Sequence, residues 1–544
     1  MPPPSPAPPS PRVPDASDDE TDGSDEEERG QAALSEQLDT LGCGPFQYRL
    51  LATVCLLSVA DGMGSTGLVV IPAIVRCPMR LTSGQEAMLS SLPMAGAALG
   101  GLVLGSLADA LGRKAILVFA IVWTTYFSLL SIASPNFWWL LALRTLVGFG
   151  FGGKGLRQTW MLEMTPTIER ARVFSLISIS WALGNILEVA VVRMSVSIVE
   201  KHHVWQVATV LSVVPFLASL PLFLCVPESV RFLHLTKQKT RAKQVLHQIS
   251  AQNGRLTGLQ QADNLTAGTE QLVSLRPTTL MHGWRKRRRK NVAAEHGKTT
   301  SKCFLMAMNC FLAFSGSLLF LGSGILTEEL LLWRKLATAS NATAGTGLQG
   351  GDYISFESNT PHDAVEKQTS CKDQFNVIDT NGDCHHLAAA DYNMVVVVFV
   401  MEVPALLLLY FLADTHGRKL SLAASFIAAG IAYAVAATCL KSLAEMMVVL
   451  VIARMSAVLV VQLASLYIIE AVPTQSRSRF LGGATFIYRL TGAAVAPVTL
   501  VLLRLSMAAT LASVSAICLT TACVVLLLLI ETKKRPMQDN WNEN

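Results

Sequence analysis

Charged side chains are scarce in this chain, at 15% of residues, against roughly a quarter in ordinary soluble domains. That shortage excludes a large water-facing surface, and 51% of the residues are hydrophobic. Residues 1–40 contain no apolar run, so no cleavable signal peptide is visible there. The long apolar runs that follow lack period-two alternation, which excludes a membrane β-barrel. A zinc-ligand cluster, a nucleophile elbow and a complete phosphate-binding loop are all missing, so the chain does not read as an enzyme and no metal or cofactor is expected. Most of the 11 cysteines lie in apolar runs, where they read as small core residues.

The nearest approach to a nucleotide site is "GFGFGGKG", Gly148 to Gly155. Two glycines four residues apart precede a lysine, but Gly155 stands where a Ser or Thr should follow it. The stretch also lies inside the apolar run from Phe137 to Met164 rather than between a strand and a helix. In a membrane helix such glycines let backbones pack closely, with Gly148 and Gly152 as a small-xxx-small pair.

What the chain does have is a series of apolar runs, each near the roughly 20 residues that cross a bilayer core. They fall at about 50–75, 86–108, 115–133, 137–164, 173–199 and 204–226, then at 303–332, 392–413, 420–440, 443–470, 480–503 and 508–530. Only helices satisfy such continuous runs in lipid, so the chain is predicted to be an all-α integral membrane protein with twelve transmembrane helices. Basic clusters occupy every second connection, from "GRK" at 112–114 to "WRKRRRK" in the central loop and "GRK" at 417–419, which predicts those loops and both termini to be cytoplasmic.

The expected organisation is an acidic, disordered cytoplasmic tail at 1–40, a six-helix bundle at 41–226 and a basic cytoplasmic loop at 227–302. A second six-helix bundle at 303–530 includes a lumenal or extracellular loop at 333–391, and a cytoplasmic tail follows at 531–544. Ser17, Thr21 and Ser24 precede acidic residues and are open to phosphorylation, although the tail also reads simply as solubilising. The basic run points to anionic lipid headgroups rather than to nucleic acid. Asn341-Ala-Thr is a glycosylation acceptor on the correct side of the membrane, whereas Asn264-Leu-Thr is on the wrong side. Cys371 and Cys384 share the oxidising side, as a disulfide or as free thiols. "IDTNGD" at 378–383 fails as a calcium loop, because Val377 and Ala388 fall at ligand positions.

The halves repeat. "LADALGRK" at 107–114 returns as "LADTHGRK" at 412–419, "EMTPTIERAR" at 163–172 as "EAVPTQSRSR" at 470–479, and "PESVR" at 227–231 as "IETKKR" at 530–535. The offset stays near 305 residues. With "RTLVGFGFGG" in the fourth span, these motifs resemble the major facilitator superfamily from about residue 40 to 540. Within it, "GPFQYRLL", "SVADGM", "WALGNILEV", "PESVRF", the "DY" before the eighth span and "IETK" resemble the synaptic vesicle 2-related group, near the organic cation and anion transporters. Lys154 and Arg157 depart from that pattern by adding charge, and Tyr410 stands where a glycine is usual.

The resemblance implies two pseudo-symmetric six-helix bundles rocking about a site at their interface, and a monomer. It also implies a cytoplasmic latch. In the first half this comprises Gly105, Asp109, Gly112, Arg113, Glu163, Arg172 and Glu228, with Gly105 allowing helices to approach. In the second half it comprises Asp414, Gly417, Arg418, Glu470, Arg479 and Glu531. The alternative is that these charges only set orientation.

Embedded polar residues supply the candidate substrate or proton site: Asp61 in the first span, Lys154 in the fourth, and Trp181, Asn185 and Glu188 at i, i+4 and i+7 on one face of the fifth. Glu402 lies mid-way along the eighth beside Pro404, and Tyr488 and Arg489 lie in the eleventh. Each is either functional or part of a structural ion pair within one bundle, such as Asp61 with Lys154. A charge in the membrane interior costs about 2.5–3.5 kcal/mol on insertion scales, so Lys154 should face a cavity. Desolvation favours the protonated form of a buried carboxylate, which suits Asp61 and Glu188 to carry a proton. Arg193 and Arg504 lie nearer span ends and can snorkel.

In the related organic ion transporters an arginine in this part of the eleventh span goes with anionic substrates. The resulting expectation is a secondary carrier of a small organic anion, with possible proton coupling, in a synaptic or secretory vesicle membrane rather than the plasma membrane. The competing expectation is a non-transporting vesicle glycoprotein acting as receptor, scaffold or regulator.

Overall fold

The computed structural model describes residues 37–254 except 77, 167–168, 201–202 and 237; residues 307–326 except 325; and residues 389–528 except 439–442 and 472–476. Asn341, Cys371, Cys384, Glu531, the acidic run and the "WRKRRRK" segment lie outside these residues, as do the side chains of Asp414, Glu470 and Arg479.

The described residues are helical, with no strand among them. Spans one to six are Pro45–Val75, Ser83–Leu111, Arg113–Ile132, Phe137–Phe151 continued by Lys154–Glu163, Arg170–Ile198 and Val204–Leu224. The seventh is Ala307–Gly324. The rest are Ala389–Val400 continued by Glu402–His416, then Arg418–Ala436, Leu443–Ala471, Arg477–Leu505 and Met507–Leu528. Nine of the described helices are long and apolar enough to cross a membrane by themselves. The fourth and eighth spans are interrupted, and the eleventh carries charge.

Local chemistry sets the boundaries. Thr82 and Gln85 form a capping box at the second span, with Gln85 Oε1 accepting from the Thr82 amide at 2.9 Å. Asn136 accepts from the Trp139 amide at 3.1 Å to open the fourth. Trp138 and Trp139 beside it are 67% and 57% exposed, as expected of aromatic residues at a membrane–water boundary. The repeat seen in the sequence has a backbone counterpart: Gly112 and Gly417, in the two "GRK" turns, have φ of +106° and +91° and join consecutive spans. A side chain would strain that conformation.

Within the first half the first span packs on the fifth and the second on the fourth, and in the second half the ninth packs on the tenth and twelfth. The halves meet where the second span lies on the eleventh and the fifth on the eighth. The glycines of "GFGFGGKG" serve this packing. A Cβ on Gly148 would fall on the Pro93 carbonyl, and one on Gly152 on the backbone of Gly100 and Gly101. A Cβ on Gly105, by contrast, would meet nothing within 4 Å, so the close approach expected there is made elsewhere on the second span, at Gly96 and Gly100.

Three features differ from the expected layout. The fourth span breaks at Gly152 and Gly153 instead of running through. The loop expected at 227–302 opens with helices Val230–Leu235 and Lys239–Gln252. Residues 37–41, at the end of the expected tail, are helical, with Leu38 and Leu41 buried in one apolar cluster that also holds Val245 and Ile249.

The same substitution at two glycines should behave differently. Gly148→Ala, placed against backbone, should cost about 1–3 kcal/mol, whereas Gly105→Ala should be near neutral, measured as thermal unfolding of the detergent-purified chain.

Candidate functional site

The seam between the halves gathers buried charge. Gly62 lets the first span approach the Trp181 carbonyl and Gly184 of the fifth. Beside it, Asp61 forms a buried ion pair with Arg157, which also donates to the Leu57 carbonyl at 3.2 Å. The structural alternative of an ion pair within one bundle is thus realised for Asp61, with Arg157 rather than Lys154 as its partner. Arg157 lies one turn further along the same helix, and its guanidinium reaches both acceptors.

Lys154 instead places Nζ 4.0 Å from the centre of the Trp181 ring. Trp181 packs on Phe320 with the ring centres 5.5 Å apart and the planes tilted by 42°, and the Arg454 guanidinium lies 4.1 Å over Phe320 and 4.6 Å over Phe399. This row of rings and cations crosses from the first half into the second.

Glu402 is fully buried and accepts from Arg454, at 2.7 Å to Nε and 2.6 Å to Nη2. Its other oxygen accepts from the Asn185 amide at 2.9 Å, and Thr66 donates to Asn185 Oδ1 at 3.0 Å. Four spans are thus joined by one polar chain, whose Asn185–Glu402 bond crosses between the halves. Ser178 to Gln462 at 3.1 Å and Arg193 to Asn393 also cross it, the second at an exposed position near the end of the fifth span.

Arg489 is 7% exposed, and its Nη1 lies 3.7 Å from the Met94 sulfur. The Tyr488 ring centre lies 5.9 Å away, and the Tyr488 carbonyl accepts from Ser317 at 2.6 Å. Among the described residues neither Lys154 nor Arg489 has a carboxylate within ion-pair distance. Trp181 Nε1 and Arg489 Nε are also buried donors without a hydrogen-bond partner there.

Glu188 belongs to a separate group. Its Oε2 accepts from Ser212 at 2.6 Å, and its Oε1 faces Gly67 with no donor. Arg144, in electrostatic reach of it, donates to Thr209 at 2.7 Å. Trp181 and Asn185 thus serve the seam while Glu188, further along the same helix, serves the interior of the first half.

At the basic end, Arg113 pairs with Glu163, and Glu163 Oε2 accepts from Ser229 at 2.6 Å. Glu228 accepts from the Lys114 amide at 3.1 Å, close to Gly112. Arg172 pairs with Glu169 at 3.0 Å, three residues before it. Asp109 is exposed, and Arg418 is buried at the start of the ninth span.

Arg454 and Arg144 escaped the sequence reading, and Arg157 was noticed only as a departure. Each had a signal: Arg454 is the sole charge between Glu445 and Glu470 in an apolar span, and Arg144 begins the "RTLVGFG" run whose glycines drew the attention.

A profile of the "Sugar (and other) transporter" family matches residues 48–325, just over half of the chain. The chain belongs to that family and is a multi-pass membrane transporter of the major facilitator superfamily. The synaptic vesicle 2-related protein of Bos taurus is 28% identical over 508 residues, covering 93% of this chain and 82% of its own. Organic cation/carnitine transporter 7 of Arabidopsis thaliana is 30% identical over 220 residues, or 40% of this chain and 43% of its own. The proton:xylose symporter XylE bound to 6-bromo-6-deoxy-D-glucose shares the fold, with a TM-score of 0.60 at 15% identity over 91% of this chain and 98% of that one.

Removing one partner of the Glu402–Arg454 pair leaves a buried charge uncompensated. Arg454→Met should therefore lower stability by about 3–5 kcal/mol, and Arg454→Met with Glu402→Met should restore most of it, read by thermal unfolding in detergent.

Proposed function

We propose that this transporter is a secondary carrier that moves a small organic anion by alternating access across an intracellular vesicle membrane, with both termini cytoplasmic. The observation that carries the proposal is the positive surplus at the seam. Asp61 and Glu402 are matched by Arg157 and Arg454, while Lys154 and Arg489 stand without a carboxylate among the described residues. Buried cations and unpartnered N–H donors favour an acceptor-rich, negatively charged ligand. A receptor or scaffold has no use for such a group.

Alternating access needs bonds between the halves that open and close, and Asn185–Glu402, Ser178–Gln462 and Arg193–Asn393 supply them. The Arg113–Glu163–Ser229 cluster acts as the latch of the first half, and Asp414, Arg418, Glu470, Arg479 and Glu531 act as its counterpart in the second. Proton coupling is assigned to Glu188, whose Oε1 lacks a donor and whose Oε2 is held by the Ser212 hydroxyl. The proton symport named for XylE and the vesicle named for the Bos taurus relative support the coupling and the compartment.

A metabolite screen by thermal shift, followed by uptake into proteoliposomes, tests the carrier. Arg489→Ala should lower uptake of the responding anion by about ten- to a hundredfold with folding and trafficking intact, whereas Asp61→Asn, which leaves Arg157 buried without its carboxylate, should lower stability as well as uptake. Loss of vesicle expression in Arg489→Ala instead would assign Arg489 to structure. Uptake by the wild type should rise with an imposed proton gradient, and Glu188→Gln should remove that rise. A wild type indifferent to the gradient would eliminate proton coupling.

A further inference from the structure

We infer that the transported anion is a dianion whose two negative charges bridge the halves, one on Lys154 of the fourth span and the other on Arg489 of the eleventh. This rests on the carrier reading above and adds the valence of the substrate.

The charge balance of the seam is independent of which partners happen to touch. Among the described residues it holds four basic side chains, Lys154, Arg157, Arg454 and Arg489, and two acidic ones, Asp61 and Glu402. Shifting Asp61 from Arg157 to Lys154 would only move the surplus to another side chain. Lys154 and Arg489 lie within electrostatic reach of each other, so they repel in an interior where such forces are poorly screened. The groups they touch, the Trp181 ring and the Met94 sulfur, carry no formal charge, and the carboxylates within reach of Lys154, Asp61 and Glu402, are already held by Arg157 and Arg454. A monoanion neutralises one of the pair and leaves the other as an uncompensated buried charge. A dianion neutralises both.

The placement adds a mechanical consequence. Lys154 belongs to the first half and Arg489 to the second. A ligand with one charge can rest on either half alone, whereas a ligand with two ties the halves together and so favours closure around itself. The Trp181 and Tyr488 rings beside the two cations suit an apolar spacer between the charged groups. The class that fits is therefore a small organic molecule with two separated acidic groups, such as a dicarboxylate.

The test uses the purified full-length chain in nanodiscs and proteoliposomes. Probes are the straight-chain dicarboxylates from oxalate to adipate and the phthalate isomers, each beside its monomethyl half-ester, with thermal shift and uptake as readouts. At least one diacid should bind roughly tenfold or more tightly than its half-ester, the value of one charge-assisted contact. In Lys154→Gln and in Arg489→Gln that preference should vanish, with the half-ester binding as well as the diacid. Half-esters equal to diacids in the wild type would overturn the dianion while leaving an anion carrier standing. Absence of any effect from anions of either valence would overturn both. The wild-type comparison decides the matter even if a variant fails to fold.

Discussion

Burying charge in a membrane-spanning bundle is the constraint on which the rest of this structure depends. Each charge at mid-membrane is disfavoured by about 2.5–3.5 kcal/mol on insertion scales, and the chain holds several. It meets that cost by pairing: Asp61 with Arg157 in one half and Glu402 with Arg454 in the other. Each pair is completed by further hydrogen bonds, from Arg157 to the Leu57 carbonyl and from Asn185 to Glu402. Against that background of matched charge, the two cations left over acquire meaning.

Small residues make this arrangement possible. The first and fifth spans approach at Gly62 and Gly184, which sets Asp61 and Asn185 on neighbouring turns. The second and fourth approach at Gly100 and Gly148, and the break after Phe151 begins a new helix at Lys154. The second span in turn lies on the eleventh, where Arg489 meets Met94. The packing glycines and the charged site are therefore one design: close backbones bring polar side chains from separate spans to a common seam. At the basic end the same economy appears in Gly112, whose positive φ turns the chain and leaves room for the Glu228 carboxylate.

Much of the fold was legible in the sequence because membrane spans announce themselves by length and hydropathy. The twelve expected runs agree closely with the helices, and the "GRK" repeat has its backbone image in Gly112 and Gly417. The site was less legible. Asp61, Lys154, Asn185, Glu402 and Arg489 were visible as misplaced charges or amides, but their partners depend on helix rotation, which one sequence does not encode in spacing. That is why Asp61 was weighed against Lys154 when Arg157, one turn along, holds it. Arg454 was hidden in plain view inside a strongly apolar span, and Glu188 shared a helical face with Asn185 while serving a different group. Gly105 stands in a recognisable motif, yet a Cβ there would meet nothing within 4 Å in this arrangement.

The central claim is that the seam between the halves is a chamber opened to one side of the membrane at a time. The direct measurement is cysteine accessibility at position 488, beside Arg489, in a chain whose native cysteines have been replaced. Membrane-impermeant thiol reagents would be applied from each side, with and without bound anion. The account predicts labelling of Tyr488→Cys from both sides in a cycling population and slowed labelling when an anion occupies the seam. A position 488 sealed from both sides under every condition would contradict it.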